Sequence, residues 1–256
     1  MAPHLIHDLL APLVAHGFHP PARKMADGIV LDKPGKSSYD SPSSCRVIVL
    51  LQTFSKILER IMNSQLSCVA RVAGLLNPHQ CGWLAGLSVS DATNTLTHEV
   101  RTLQMAGRKV STLFLDIKGG LDNVDPSTLC SMLKSPGVNP YLVSWTRSFL
   151  TGRSCRLLFQ GSPKVFAPVS VGTPQGSPVS PLLFVIYVSR LHCEIPWGLT
   201  LSYVDDFGLT VSSMSHRRNI QFLQRQYSVL KAKGARLGVS FSIPKTELIH
   251  WRTKRD

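Results

Sequence analysis

The chain has 256 residues, 43% of them hydrophobic, and sets 28 Lys and Arg against 15 Asp and Glu for a formal net charge of +13. This composition excludes a disordered or fibrous protein, and the length suffices for one sizeable core or two small ones. The positive excess is spread from Arg23 to Arg255 instead of sitting in one tail, which favours a polyanionic partner.

The cysteines Cys45, Cys68, Cys81, Cys130, Cys155 and Cys193 include no C-x-x-C pair and no His at zinc-ligand spacing, so reduced thiols without disulfides or zinc are expected. The longest clean apolar run, 182–188, is far short of the roughly 18 residues of a membrane span, and no basic lead precedes an apolar stretch at the N-terminus. No membrane partner is expected, and an intracellular location, nucleus or cytoplasm, is.

From the N-terminus, Leu5, Leu9 and Leu13 with Ile6, Leu10 and Val14 repeat at four-residue spacing and predict a short amphipathic helix that Pro12 shortens or kinks. DGIVLDKPGKSSYD predicts a strand, a turn at Pro34-Gly35 and a polar loop. Its GKSS is not the end of a phosphate-binding P-loop, because the glycine required five positions before Gly35 is Val30. From Phe54 onward, Ile57, Leu58, Ile61, Met62, Leu66 and Val69 hold a helical period, with Lys56, Glu59, Arg60 and Asn63 on the other face. A second amphipathic helix, behind Ser90-Asp91 as a start signal, runs through Ala92, Leu96, Val100 and Leu103.

The period then changes. STLFLDI alternates as a strand, with Leu113, Leu115 and Ile117 on one face and Phe114 and Asp116 on the other. VGTPQGSPVSPLLFVIYVSRL is a Gly/Pro loop feeding a helix, with Ser180 as N-cap and Pro181 at the first helical position. LTLSYVDDFGLTVSS predicts two strands joined at Asp205 and Asp206, and RLGVSFSI alternates again.

By itself an Asp-Asp pair between strands is a turn, because Asp tolerates the backbone angles a turn needs. Here the neighbours are large and apolar, and a third acid, Asp116, ends another predicted strand. If Asp116 and Asp205 sit side by side their charges repel, and at least one pKa rises unless cations intervene. Mg²⁺ suits so sparse a cluster, since it is held by one or two carboxylates plus substrate phosphates, and a pair of ions about 4 Å apart serves phosphoryl transfer.

The ordered set FLDIKGGLDNV, GTPQGSPVSPLLF, YVDD and GVSFSIPKTE resembles the successive palm motifs of reverse transcriptases from non-LTR, long interspersed retrotransposons. The upstream LDKPGKSSYDSPSSCRVIVLLQTFSKILERIM and LNPHQCGWLAGLSVSDA resemble finger segments of the same family. The resemblance implies an α+β right-hand polymerase fold. Its palm, 101–125 and 166–256, is an antiparallel ferredoxin-like sheet backed by helices; its fingers are 28–100 and 126–165, and residues 1–27 form a helical lead-in. It implies RNA-templated DNA synthesis with two Mg²⁺ ions, or Mn²⁺, and an RNA template, a DNA primer and deoxynucleoside triphosphates as partners.

On that pattern Asp116 and Asp205 match the aspartates that hold both metals, and Asp206 a less direct contributor. Gln175 and Gly176 match residues that lie against template and incoming nucleotide, Ile117 and Leu121 belong to the nucleotide pocket, and Arg46 matches the finger arginine that clamps the triphosphate, with Lys33 and Lys36 as further phosphate contacts. Lys245 matches a lysine that protonates the leaving pyrophosphate. Some positions depart from the family. Leu121 stands where Phe or Tyr excludes the ribose 2′-hydroxyl, Gly120 replaces an alanine and adds backbone freedom, and Leu84 and Leu87 replace arginines and remove two phosphate contacts. The close in RTKRD after KTELIHW leaves no room for a thumb, so a fragment is expected. The alternative is a non-catalytic RNA-binding module that retains the fold; an RNA-dependent RNA polymerase is disfavoured because Leu121, not an acid, stands five residues after Asp116.

Overall fold

The computed structural model describes residues 3–35, 38–84, 86–134, 137–159, 162–192 and 194–252; Lys36, Cys193 and 253–256 lie outside the described residues. The helices are α1 (Pro3–Ala15), α2 (Thr53–Val72), α3 (Val89–Met105), α4 (Pro126–Leu133), α5 (Pro140–Leu150), α6 (Ser180–Val188) and α7 (His216–Arg236). The strands are β1 (Met25–Asp32), β2 (Cys45–Leu50), β3 (Lys109–Lys118), β4 (Arg153–Phe159), β5 (Ser162–Pro163), β6 (Ala167–Val169), β7 (Gly198–Tyr203), β8 (Asp206–Ser213), β9 (Ser240–Phe241) and β10 (Glu247–Trp251). The chain divides into two units, residues 1–73 with 121–183 and residues 74–120 with 184–256.

In the first unit the sheet order is β2-β1-β4-β5, with β6 also on β4. β1 runs antiparallel to β2 and parallel to β4. The periodic stripe of α2 supplies the core residues Leu58, Met62, Leu66 and Ala70, and α5 adds Trp145 stacked on Phe149 at 5.0 Å. α1 continues through Pro12 and buries only Leu10 of its apolar face. One expectation for α2 fails. Glu59, placed by periodicity with the polar residues, is fully buried, because two hydroxyl groups meet its carboxylate there.

The second unit is built on the order β10-β3-β8-β7, antiparallel throughout, with β9 pairing the far end of β3. α3 packs on β7 and β3, and α7 on β8 and β3. Inside lie Val100, Leu103 and Val110 against Trp251, and Ala92 and Cys81 against Leu199 and Leu201. Leu182 through Val188 of α6 are all buried, which explains a helix apolar on every side.

Three boundaries differ from the sequence reading. α3 is capped by Ser88, not Ser90: the Ser88 hydroxyl accepts from the Asp91 N–H while the Asp91 carboxylate accepts from Ser88, a reciprocal capping box. Ser180 is the first residue of α6 and its Oγ has no partner among the described residues; Ser177 accepts from the Val179 N–H instead. RLGVSFSI yields only the two-residue β9, because α7 runs on to Arg236 and the chain turns again at Ile243–Lys245 before β10. Among the described residues no helix is long and apolar enough to cross a membrane. Cys45, Cys68, Cys81, Cys130 and Cys155 are free thiols.

Candidate active site

β3 delivers Asp116 to its C-terminal end with Leu115 and Ile117 buried on either side, so strand alternation turns the carboxylate away from that buried face. In the β3–β8 ladder Asp116 lies directly opposite Asp206. Directly opposed residues have Cβ atoms about 5 Å apart on one face of a sheet. Asp205 sits in the β7–β8 turn one residue earlier, and its carbonyl accepts from the Ile117 N–H at 3.0 Å. All three acids therefore meet where β3 and the hairpin end. Asp206, not Asp205, is the register neighbour of Asp116.

Electrostatics agree with this grouping. Desolvation, then the Asp205 and Asp116 charges, push the Asp206 carboxyl above the usual carboxylate range, with Lys245 pulling the other way. The turn Ile243–Lys245 between β9 and β10 places the Lys245 Nζ 2.7 Å from Asp116 Oδ1. The hydrogen bond to Asp116, and the charges of all three acids, raise the Lys245 pKa above its ordinary value. The ammonium is 62% exposed against 19% for the Asp116 side chain, so this is a solvent-facing ion pair of small net worth. Among the described residues no group of three or more His, Cys, Asp or Glu side chains is placed to hold a metal ion. The donors that the acids offer are hard carboxylate oxygens with an open side, the chemical type that hard divalent cations take when waters and phosphates complete the shell.

The turn presenting Asp205 is strained. Val204, a β-branched residue, has φ of 59°, a conformation that costs roughly 1–3 kcal/mol and persists only when its surroundings impose it. The buried Gln80 imposes it, its Oε1 accepting from the N–H groups of Val204 (3.3 Å) and Gly82 (3.1 Å). A side chain at Gly82 would collide with Val204. Nothing in the spacing of LNPHQCGW indicates this role, because the clamp closes across more than a hundred residues of sequence. Gly120 also has a packing reason: a Cβ there would lie 2.7 Å from the buried Phe184 ring, so space, not backbone freedom, requires glycine.

The first unit carries a second group of predicted residues around β2. Arg46 is exposed on that strand, and the Lys33 N–H bonds the Ser44 carbonyl at the same end of the β1–β2 ladder. Further along β2, the Val49 N–H donates to the Gln175 carbonyl at 2.7 Å, and the Gln175 side-chain amide donates to Asp122. Gly176 has φ of 131° and faces the Val49 carbonyl so closely that no side chain fits, a reason for glycine internal to the fold. Thr173 and Gly172 tie the same loop to the carbonyls of Leu121 and Val124. Leu121 thus anchors the loop through its backbone, and Ile117, in the second unit, is buried.

Sequence reasoning missed Glu59 here. Its carboxylate accepts from Ser55 (2.8 Å) on its own helix and from Ser177 (2.5 Å), two residues after Gln175, pinning the Gly/Pro loop to α2. Burial raises its pKa against the opposing pull of both hydroxyls and Lys56. An acid with a raised folded-state pKa contributes stability that is full below its unfolded pKa and is lost as pH rises through the folded value. Glu59→Gln is therefore expected to remove a fall in stability with rising pH above the ordinary carboxylate range. Glu59→Leu, which strands two buried hydroxyls, is expected to cost about 2–4 kcal/mol in urea unfolding.

Residues 31–256 match the family model described as reverse transcriptase (RNA-dependent DNA polymerase). A Drosophila melanogaster protein named "Probable RNA-directed DNA polymerase from transposon BS" is 28% identical over 222 residues, which is 84% of this chain and 24% of that protein. The RNA-directed DNA polymerase from mobile element jockey of the same species is 26% identical over 207 residues, 78% of this chain and 22% of that one. The chain thus spans about a quarter of the length of these relatives. Among solved structures, apo telomerase from Candida tropicalis truncated from its C-terminal domain superposes with a TM-score of 0.61 at 14% identity, covering 99% of this chain and 56% of that one. At that identity the likeness concerns the fold, which is the α+β fingers-and-palm arrangement expected from the motifs.

Proposed function

Because the chain belongs to the reverse transcriptase (RNA-dependent DNA polymerase) family, of the non-LTR retrotransposon type, we propose that it extends a DNA primer along an RNA template by nucleotidyl transfer from deoxynucleoside triphosphates. The observation that carries this reading is the meeting of Asp116, Asp205 and Asp206 at the ends of β3 and the β7–β8 hairpin, with Lys245 on Asp116. We read residues 28–100 and 126–165 as fingers and residues 101–125 and 166–256 as palm.

Asp116 and Asp205 would hold a pair of Mg²⁺ ions, which supply Lewis-acid polarisation of the phosphates and of the primer 3′-hydroxyl. Asp206 supports them through the field at the strand end. Gln175 and Gly176 form a rigid ledge for the template base and incoming nucleotide, pre-positioned by Val49, Asp122 and, through Ser177, Glu59. Arg46 offers a guanidinium fork to the triphosphate. Lys245, kept protonated by Asp116, holds at Nζ the proton that the departing pyrophosphate takes up.

Primer extension on an RNA template with Mg²⁺ tests the proposal: wild type extends, and Asp116→Asn does not. A wild-type protein that binds the template and never extends would leave the second reading, a non-catalytic RNA-binding module that retains the fold.

Leu121 leads to a specificity prediction. With no aromatic ring at this position, wild type is expected to incorporate ribonucleotides measurably, and Leu121→Phe to raise discrimination against them by about tenfold in competing-nucleotide assays. Strict deoxynucleotide selection by wild type would contradict it.

A further inference from the structure

At the far end of the β7–β8 hairpin from the acids lies a second surface whose chemistry the reaction does not use. β8 runs from Asp206 to Ser213, so the two ends stand about 23 Å apart. At the Ser213 end, Arg108, Arg218 and Arg225 converge on a recess of about 360 Å³, whose lining includes Gln221, Phe222 and Met214 and no acidic residue. α7, which supplies most of that lining, contains six Lys or Arg and no Asp or Glu.

The helical period sharpens the picture. Arg218, Arg225 and Arg236 are 7 and 18 residues apart, which returns each to within about 20° of the first on a helix of 100° per residue. They form a straight row about 27 Å long with the exposed Phe222 and Val229 between them. Leu223, Leu230, Asn219 and Gly234 face inward. Among the described residues no carboxylate pairs with Arg218 or Arg225.

An aromatic platform adjoins the row. Trp197 is 66% exposed and held at φ of 57°, while the Arg108 guanidinium lies 4.9 Å from its ring centroid. Ser212 fixes both, accepting from Arg108 Nε at 2.8 Å and donating to the Trp197 carbonyl at 2.7 Å. A guanidinium row with exposed aromatic rings suits a single strand, whose phosphates meet the cations and whose unpaired bases stack.

We infer that the α7–Trp197 face of the second unit binds single-stranded RNA, as a site separate from the three acids. RNA is the occupant because, in the reaction proposed above, the template is the strand that remains unpaired over length, whereas product DNA pairs as it forms. The inference rests on that reading for the identity of the strand, and on charge and aromatic exposure for the binding itself.

The test measures binding of the 256-residue chain to an unstructured RNA of about 40 nucleotides, across a salt series, in parallel with primer extension on a template too short to reach beyond the acids. Arg218→Gln/Arg225→Gln is expected to weaken RNA binding about tenfold and to flatten the log–log salt slope by about 1.4, since each single-strand phosphate contact contributes about 0.7. Trp197→Ala is expected to weaken it about fivefold or more with no change of slope. Extension on the short template remains at the wild-type level in both, and unaltered thermal melting shows that exposed residues were changed without unfolding. Equal affinity and slope in wild type and the double variant overturn the inference. So does tighter binding of polyglutamate than of RNA, which identifies an acidic protein surface as the occupant, or a preference for duplex or single-stranded DNA. Loss of extension in wild type with these RNA effects intact would sink the polymerase reading and leave the binding face standing.

Discussion

Asp205→Asn is expected to reduce primer extension by about a thousandfold or more, the several kcal/mol that a metal-held phosphate is worth in the transition state, whereas Asp206→Asn retains a measurable fraction. The distinction is not obvious from the ladder, where Asp206 is the residue opposite Asp116. Desolvation and the two neighbouring charges oppose ionisation of Asp206, which makes its charge costly to the folded state. Asp205 and Asp206 are both exposed, and the Asp205 backbone is fixed independently of its side chain through Ile117 and through the Gln80 clamp on Val204. Replacing its carboxylate by an amide therefore leaves the turn in place and removes only a charge.

A readout other than turnover accompanies this. Since Asp206 has a raised folded-state pKa, wild type loses stability as pH climbs from the unfolded-state value through the folded one. Asp206→Asn is expected to abolish that loss and to raise the melting temperature at neutral pH in the absence of divalent ions. Added Mg²⁺ is expected to raise the wild-type melting temperature and to do so less for Asp205→Asn. Equal activity in Asp205→Asn and wild type would remove the acids from the mechanism altogether.

Lys245→Leu carries the second large effect. A positioned general acid contributes about 10²–10⁴-fold, so the single-turnover rate in rapid-quench kinetics should fall by about a hundredfold. Lys245→Arg separates charge from proton supply, because a guanidinium can keep the ion pair with Asp116 and does not release a proton at these pH values. Arginine should preserve melting behaviour and still lose most of the rate. Leucine frees Asp116, and the cluster is expected to bind Mg²⁺ more tightly as it loses rate. An unchanged chemical step in either variant would discard the proton-donor role and leave Lys245 as a placeholder for the cation.

Much of this arrangement is legible in the residues. The α2 stripe, the alternation that turns Asp116 away from Leu115 and Ile117, the hairpin at YVDD and the glycine-bearing loop at Gln175 all follow from local periodicity or turn chemistry, which depend on a few neighbouring residues. Order and spacing of the motifs, again a property of sequence, identify the family. What local pattern could not supply is anything settled by partners distant along the chain. Glu59 reads as a surface residue of an amphipathic helix until Ser177, 118 positions away, meets its carboxylate. Gln80 has no signal at all until Val204 adopts its left-handed turn beside it.

Glycines at 120 and 176 are readable as glycines, but their reasons, the Phe184 ring and the Val49 carbonyl, are contacts made only on folding. Likewise the row Arg218, Arg225 and Arg236 is written in a 7 and 11 residue spacing, while the recess it shares with Arg108 arises from the packing of α7 on β8. The sequence by itself determined the family, the α2 and α3 stripes, the β3 alternation and the β7–β8 hairpin, because those rest on short-range sterics and on residue identity. Only the tertiary structure decided that Asp206 faces Asp116, that Lys245 neutralises it and that Glu59 holds the loop, because side-chain charges and hydrogen bonds act over a few ångströms in space whatever their separation along the chain.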